Sequence, residues 1–219
     1  TFDISAEPLF RAWGFSAEEK NIPSEEQIAA LKQYIGMEKV WIENGKVIKA
    51  HPQLVLNANA IAKGYSADIV ADFLEKQDCF NYLIEIGGEM RMKGENTEGE
   101  PWHIGIDHPS DDRLIPGEEM QLVLSITNKG IATSGNYRQF YFDNGQRITH
   151  TINPATGYPV THNLLSATVI ANDAITADAF ATACMVVGIE KSLEWIERFP
   201  ELDAIFICDE GNEYKVYYT

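Results

Sequence analysis

The stretch from Ala171 to Gly188 reads ANDAITADAFATACMVVG, and the rest of the chain is organised around it. Asn172 and Asp173 are residue types that cap helix starts, and Gly188 is the type that ends a helix. Between them Ile175, Ala179, Phe180, Ala183, Val186 and Val187 recur at helical spacing, so a buried helix is expected. Asp178 and Thr182 stand four residues apart and therefore on one side of it. Ala177, Ala179, Ala181 and Ala183 keep that side low, so another backbone or a ligand can come close. A carboxylate in such surroundings needs a partner, because an unpaired buried charge is very costly.

Two readings of the pair stay open at this point. Asp178 could be exposed near the helix start, favoured by the helix dipole, with Thr182 bonded back to its own helix. Alternatively both oxygens face a hard cation such as Mg²⁺, with further ligands coming from elsewhere in the chain.

Composition narrows the classes. The chain has 219 residues, 45% of them hydrophobic, enough for one large domain or two intimately packed ones. Its net charge of −16 argues against nucleic-acid and anionic-membrane surfaces. An anionic ligand would need a locally positive site or a metal. Cys79, Cys184 and Cys208 are scattered, which fits neither a disulfide framework nor a zinc pattern and suggests buried inert thiols. No run is long enough to span a membrane as a helix. The chain starts at Thr1 without Met, and further residues are expected upstream.

The remaining segments read as short strands with a few helices. Pro23-Ser24-Glu25-Glu26-Gln27 starts a helix through a Ser24/Gln27 capping box, and Gly36 stops it. Asn44-Gly45 and Asn144-Gly145 lie between apolar runs and predict hairpins. Leu54 to Gly64 is expected to begin as a strand and run through small-residue backbone to Lys63-Gly64, a helix following with Ser66 as cap. Such a junction could bind an anion at the helix start, or be a tight crossover with a surface lysine. Tyr82–Ile86 and Glu89–Lys93 read as strands around Gly87-Gly88, taken as a bulge or close backbone approach. Trp102–Ile106 and Leu122–Ile126 are strands, separated by an Asp- and Pro-rich loop over 107–117.

Ile131 to Tyr137 is expected to be a polar turn in which Thr133, Ser134 and Gly135 suit a phosphate, with Arg138 following. His150 leaves a strand into a rigid loop containing Thr156-Gly157. It is either a satisfied structural residue or a phosphate donor or general base. Ser192–Phe199 is an amphipathic helix, and Ala204–Cys208 with Tyr214–Tyr218 form a hairpin around Glu210-Gly211-Asn212. Helix, strand, Gly turn and strand occur in this order twice, at 66–93 and 192–218, a hint of internal duplication. The expected class is α+β, with antiparallel sheets and packed helices in one domain over 1–219.

Four segments together resemble the FAD:protein FMN transferases, the ApbE-like family: NANAIAKGYSAD (57–68), LIEIGGEMRMKG (83–94), ATSGNYRQFYFDNGQRITHTINPATGYPV (132–160) and 168–188. Residues 1–15 are also similar to the family's PL-x-x-W-G-F region. The resemblance implies Mg²⁺-dependent transfer of FMN from FAD to a Thr or Ser of a target protein, with release of AMP. It implies Asp178 and Thr182 as metal ligands, with Ala60 as a third through its backbone carbonyl. Asn57, Lys63, Gly64 and His150 fall at positions expected to contact FAD, with Thr133, Ser134, Gly135, Thr156 and Gly157 lining the cleft. Asn57 stands where many members have Asp, which removes a negative charge.

The resemblance further implies that an N-terminal portion contributing to the flavin pocket lies upstream of Thr1. It implies an exported protein at the cell envelope, held to the membrane only by a lipid anchor outside this chain. His150 is the expected proton acceptor and Asp178 its rival. The competing functions are an Mg²⁺-dependent FAD pyrophosphatase, in which water replaces the threonine, a non-catalytic flavin-binding protein, and an inert remnant.

Overall fold

The computed structural model describes residues 1–16, 20–109, 120–137, 139–211 and 213–219. Positions 110–117 of the expected acidic loop, Arg138, and Asn212 of the last turn lie outside those described residues. In chain order the elements begin with α1 (Glu7–Ala12), α2 (Glu25–Lys32), β1 (Val40–Glu43), β2 (Lys46–Lys49) and α3 (Asn59–Glu75). Then come β3 (Tyr82–Ile86), β4 (Glu89–Lys93), β5 (Trp102–Asp107), β6 (Met120–Ile126), β7 (Lys129–Gly135), β8 (Phe140–Asp143) and β9 (Gln146–Thr149). The rest are β10 (Ile152–Asn153), β11 (Tyr158–Pro159), β12 (Leu164–Ala171), α4 (Ala174–Val187), α5 (Ile189–Ile196), β13 (Asp203–Asp209) and β14 (Tyr214–Tyr218). No described helix is long and apolar enough to cross a membrane.

The chain divides into two compact units. The first comprises Thr1–Asn59 with Gln139–Thr161. Its core joins Leu9 and Trp13 of the N-terminal region to Ile28 of α2, Tyr141, Ile148 and Ile152. The Ser24/Gln27 capping box forms as expected, with both reciprocal bonds present. Both Asn-Gly hairpins form, and Asn44 and Asn144 take the positive φ that such turns require. Leu54 is fully buried, but the expected strand there reduces to a single bridge between Ala6 and Val55.

The second unit, Ala60–Arg138 with His162–Thr219, is built on a six-stranded antiparallel sheet in the order β14-β13-β12-β7-β4-β3. One face is covered by α4, whose Ala177, Ala181, Cys184 and Met185 pack on Ala132, Ala167, Val169 and Phe206. The opposite face is covered by the β5–β6 hairpin, which sets Ile104 and Ile106 against Met92, Ile131, Ile170 and Ile207. Strand β12 is therefore buried on both faces along its whole length. Each such aliphatic side chain contributes roughly 1.5–3 kcal/mol. An exposed ion pair contributes about 0–1 kcal/mol, so these clusters hold the sheet. Burial pushes the Cys184 and Cys208 thiols up to about 11, in keeping with inert core cysteines, whereas Cys79 is only half-buried and departs from that expectation.

Four further expectations change. Helix α3 starts at Asn59, seven residues before Ser66, so Ala60, Lys63 and Gly64 are helical and do not lie on a loop. Ser66 lies inside the helix and donates back to the Ala62 carbonyl. Alanine at positions 60 and 62 favours helix, and Gly64 is tolerated because the neighbouring helix comes too close for any side chain. Second, Thr133-Ser134-Gly135 is not a turn but the end of central strand β7, in register with Thr168, Ala167 and Ser166 of β12. Third, Gly87-Gly88 is a two-residue hairpin turn with positive φ at both positions, not a bulge. Fourth, α5 begins at Ile189, directly after Gly188. The repeated element order places its hairpins at opposite sheet edges, but α3 leads into an edge strand and α5 into an inner one.

A candidate hard-cation site on the face of two packed helices

Helix α4 is held first at its start. Asp173 accepts from the Thr176 amide at 2.8 Å, the expected cap. Asp68 of α3 does more: its Oδ1 accepts from the Ala174 amide at 2.9 Å and its Oδ2 from the Ile175 amide at 2.8 Å. Three of the amides that a helix start leaves unpaired are thereby satisfied by carboxylates. Arg91 of β4 lies against Asp68 and donates to the Asn172 carbonyl, and Lys129 donates to Asn172 Oδ1. Gly130 of β7 lets this end of the helix approach, since a Cβ there would sit 2.2 Å from the Asp173 carbonyl carbon. The start of α4 is thus filled by protein groups.

One turn further along α4 the packing repeats with a different outcome. Gly64 of α3 donates its amide to Asp178 Oδ2 at 3.0 Å, in a buried contact. A Cβ on Gly64 would sit 2.3 Å from the Ala174 carbonyl oxygen and 2.9 Å from Asp178 Cβ. Only glycine permits this approach. In a regular helix the Gly64 amide points at the Ala60 carbonyl; here it also lies within bonding distance of a carboxylate.

The two helices run antiparallel, because Asp68 meets Ala174 while Gly64 meets Asp178.

Asp178 is only 3% exposed, which removes the reading of a solvated carboxylate near the helix start. Burial pushes its carboxyl above the usual range, opposed by the Gly64 amide and the Lys63 ammonium. Thr182 is half-buried, and its hydroxyl meets Ser134 Oγ at 3.2 Å without bonding back to its own helix. Ser134 shares the α4 side of β7, whereas Thr133 faces the other side and pairs with Thr168 Oγ1 at 2.8 Å. Thr133 and Ser134 therefore do not line one surface. A Cβ on Gly135 would collide with the Tyr137 ring at 2.5 Å, so its glycine answers to packing.

Lys63 crosses to the β3–β4 turn, where its Nζ lies 2.6 Å from Glu89 Oε1 and 3.3 Å from the Gly87 carbonyl. Glu89 is 2% exposed, and its Oε2 has no hydrogen-bond partner among the described residues. Burial pushes the Glu89 carboxyl up, Lys63 draws it down, and Asp178 raises it again.

The donors fit a hard cation. Asp178 has one oxygen tied to Gly64, and the Thr182 hydroxyl keeps lone-pair capacity beside Ser134. Both are oxygens, the set preferred by Mg²⁺. Among the described residues no group of three or more His, Cys, Asp or Glu is placed to hold a metal, so substrate oxygens or water would complete the sphere.

The other expected site residues belong to the first unit. Asn57 is engaged at both ends of its amide: Nδ2 donates to Glu7 Oε2 at 2.6 Å and Oδ1 accepts from the Asn59 amide at 2.8 Å. Gly157, at φ +89, donates to the Asn153 carbonyl and accepts from Trp13 Nε1 at 2.9 Å. Thr156 accepts from the Tyr158 amide and so shapes the same turn. His150 is half-buried, with Nδ1 3.2 Å from the Gln139 carbonyl oxygen. A carbonyl can only accept, so Nδ1 carries the hydrogen and the neutral ring keeps a lone pair on Nε2. Burial holds its pKa below the ordinary value, opposed by the Gln139 carbonyl.

Asp68, Arg91 and Glu89 were not singled out from the sequence. Asp68 falls on one stripe with Ala60 and Gly64 once α3 is extended back to Asn59, and that stripe is the signal that finds it. Nothing local marks Arg91 or Glu89, because both owe their roles to long-range partners.

Residues 1–206 match the family model described as the ApbE family. The FAD:protein FMN transferase of Haemophilus influenzae is 39% identical over 203 residues, covering 90% of this chain and 58% of that protein. The protein of the same name from Escherichia coli K12 is 38% identical over 221 residues, covering 98% of this chain and 62% of that protein. The chain thus spans 58% and 62% of the lengths of these curated relatives. Among solved structures, the flavin transferase ApbE from Vibrio cholerae aligns with a TM-score of 0.85 at 36% identity, covering 99% of this chain and 68% of that one. The apo flavinyl transferase ApbE of Pseudomonas stutzeri aligns at 0.88 and 35% identity, covering 100% and 66%.

Proposed function

The chain belongs to the ApbE family, and from that premise we propose that it transfers FMN from FAD to a Thr or Ser hydroxyl of a target protein, with Mg²⁺ and with release of AMP. The observation that carries the reading is the buried Asp178, tied by one oxygen to the Gly64 amide, with Thr182 one turn on. A magnesium ion held by Asp178, Thr182 and the Ala60 carbonyl would neutralise charge on the pyrophosphate of FAD.

Phosphoryl transfer asks the protein for positioning and charge stabilisation more than for covalent help. The acceptor hydroxyl forms a bond to the FMN phosphorus, and the phosphorus–oxygen bond to AMP breaks. Lys63, held in its pair with Glu89, adds positive charge that acts on Asp178 only through space. His150 Nε2, which its tautomer leaves as an acceptor, is a group able to take a hydroxyl proton. Asp178 is the weaker choice of base, since its Oδ2 is committed to the Gly64 amide.

The test is mass spectrometry of a Thr-containing acceptor peptide after incubation with FAD and Mg²⁺. Flavinylated peptide together with AMP is the expected result. Free FMN and AMP with unmodified peptide would make the chain a pyrophosphatase instead. No cleavage of FAD would remove the enzymatic reading.

A further inference from the structure

Glu89 is a carboxylate that the fold has no evident reason to bury. Its side chain is 3% exposed, while that of its partner Lys63 is 47% exposed. Its second oxygen, Oε2, is buried without a hydrogen-bond partner among the described residues. An ion pair serving only to join α3 to the β3–β4 hairpin would hold better at the surface, where no desolvation opposes it.

The surroundings form a track for one side chain. Gly87, at φ +62, has no Cβ; one placed there would lie 3.1 Å from Lys63 Cδ. The Gly87 carbonyl and Glu89 Oε1 then receive the ammonium at the end of the track. Lys63 precedes Gly64, whose amide touches Asp178, so the ammonium starts one residue from a second carboxylate. It pairs with Glu89 instead.

We propose that Glu89 is a positioning residue that holds Lys63 off Asp178, so that the Asp178 carboxylate stays open to a hard divalent cation. Released from Glu89, the flexible lysine would close on Asp178 and compete with the cation for the same oxygens. The inference rests on the proposed cation site and adds the group that keeps it clear.

A double-mutant cycle on the full chain tests it, with Mn²⁺ as the probe, binding read by electron paramagnetic resonance with and without FAD, and melting curves in parallel. Glu89→Gln keeps the shape and removes the charge. It should weaken Mn²⁺ binding about ten-fold when Lys63 is present. In the Lys63→Met background the same change should matter less than about two-fold, because nothing remains to be restrained. An equal loss in both backgrounds would mean that Glu89 acts on the cation directly, as a ligand or as a charge, and would overturn the proposal. Unchanged Mn²⁺ affinity in Glu89→Gln, with or without a lower melting temperature, would also overturn it and leave Glu89 a structural residue. If Glu89→Gln does not fold, Glu89→Ala and Lys63→Met/Glu89→Ala make the same comparison. Wild-type protein that takes up no Mn²⁺ with or without FAD would instead remove the cation site itself.

Discussion

Asp68 and Asp178 lie at the same helix–helix interface, one turn of α4 apart, and do opposite things. Asp68 spends both oxygens on the amides of Ala174 and Ile175 and has Arg91 beside it. Asp178 is more deeply buried, yet among the described residues only one of its oxygens is engaged, by the Gly64 amide. A carboxylate with both oxygens matched by donors holds two elements together. A buried carboxylate left half matched is a cost to the fold, and such groups concentrate at functional sites. On the proposed function, the difference separates the residue that ties the two helices together from the residue that would take the cation.

Replacing Asp178 tests the functional side and should give the largest effect. Asp178→Asn should lower FMN transfer at least about a thousand-fold and abolish stabilisation by Mn²⁺. Its effect on the metal-free protein should have the opposite sign. The Asp178 carboxyl is pushed above its ordinary range by burial, so its stabilising contribution is complete below the unfolded value and is lost as pH rises through the folded one. At neutral pH the charge therefore opposes folding. The Asn variant, which can still accept from Gly64, should melt at or above the wild-type temperature. A marked fall in melting temperature would mean that Asp178 is structural after all.

Asp68→Ala tests the other half. It removes the acceptor for two α4 amides and the partner of Arg91. A loss of about 2–3 kcal/mol in denaturant unfolding is expected. Mn²⁺ affinity should fall only in so far as the Gly64–Asp178 contact loosens. If Mn²⁺ binding disappears while stability is unchanged, the division of labour between the two aspartates is wrong.

The same distinction explains what could be read from the sequence. The frame of α4 was legible because Asp173, Gly188 and the apolar period are local signals. The Ser24/Gln27 box and the Asn-Gly hairpins were legible for the same reason. The start of α3 was misread because Gly64 resembles a helix breaker, and its warrant lies in Ala174 and Asp178, 110 and 114 residues away. The end of β7 was misread because Thr-Ser-Gly is turn-like, while its pairing with β12 is a tertiary fact. The spacing of Asp178 and Thr182 put both on one side of α4 but left their role open. The matching of Asp68, Arg91 and Glu89 was not legible, since long-range partners leave no local trace.

Asn57 extends the comparison to the first unit and carries a smaller expected effect. Its amide is matched at both ends, so it behaves like Asp68 and not like Asp178. Asn57→Asp would set a carboxylate against Glu7, which is itself 8% exposed. A loss of about 1–3 kcal/mol in chemical denaturation is expected. A companion Glu7→Gln change should restore most of it, because the new carboxylate then meets a donor. If Asn57→Asp proves neutral, the Asn57–Glu7 bond carries no weight.

His150 provides the smallest and most conditional effect. Burial lowers its pKa below the ordinary value, as it does for His162. A buried histidine kept neutral in the native state binds fewer protons there than in the unfolded chain. Stability then falls as pH drops past about 6.5, the unfolded value, and goes on falling until the lower folded value is reached. Melting temperature should accordingly decline between pH 7.5 and 5.5. His150→Gln should flatten part of that decline and leave the part owed to His162. The Nδ1 bond to the Gln139 carbonyl gives this variant a mechanistic use as well. Glutamine can donate from its amide nitrogen to that carbonyl, but its remaining oxygen is too weakly basic to hold a hydroxyl proton. If His150 only shapes the loop, His150→Gln should keep FMN transfer near wild type while flattening the melting curve against pH. If His150 accepts the proton, transfer should fall by about a hundred-fold or more with Mn²⁺ binding intact, a separation that no change at Asp178 or Asp68 should produce.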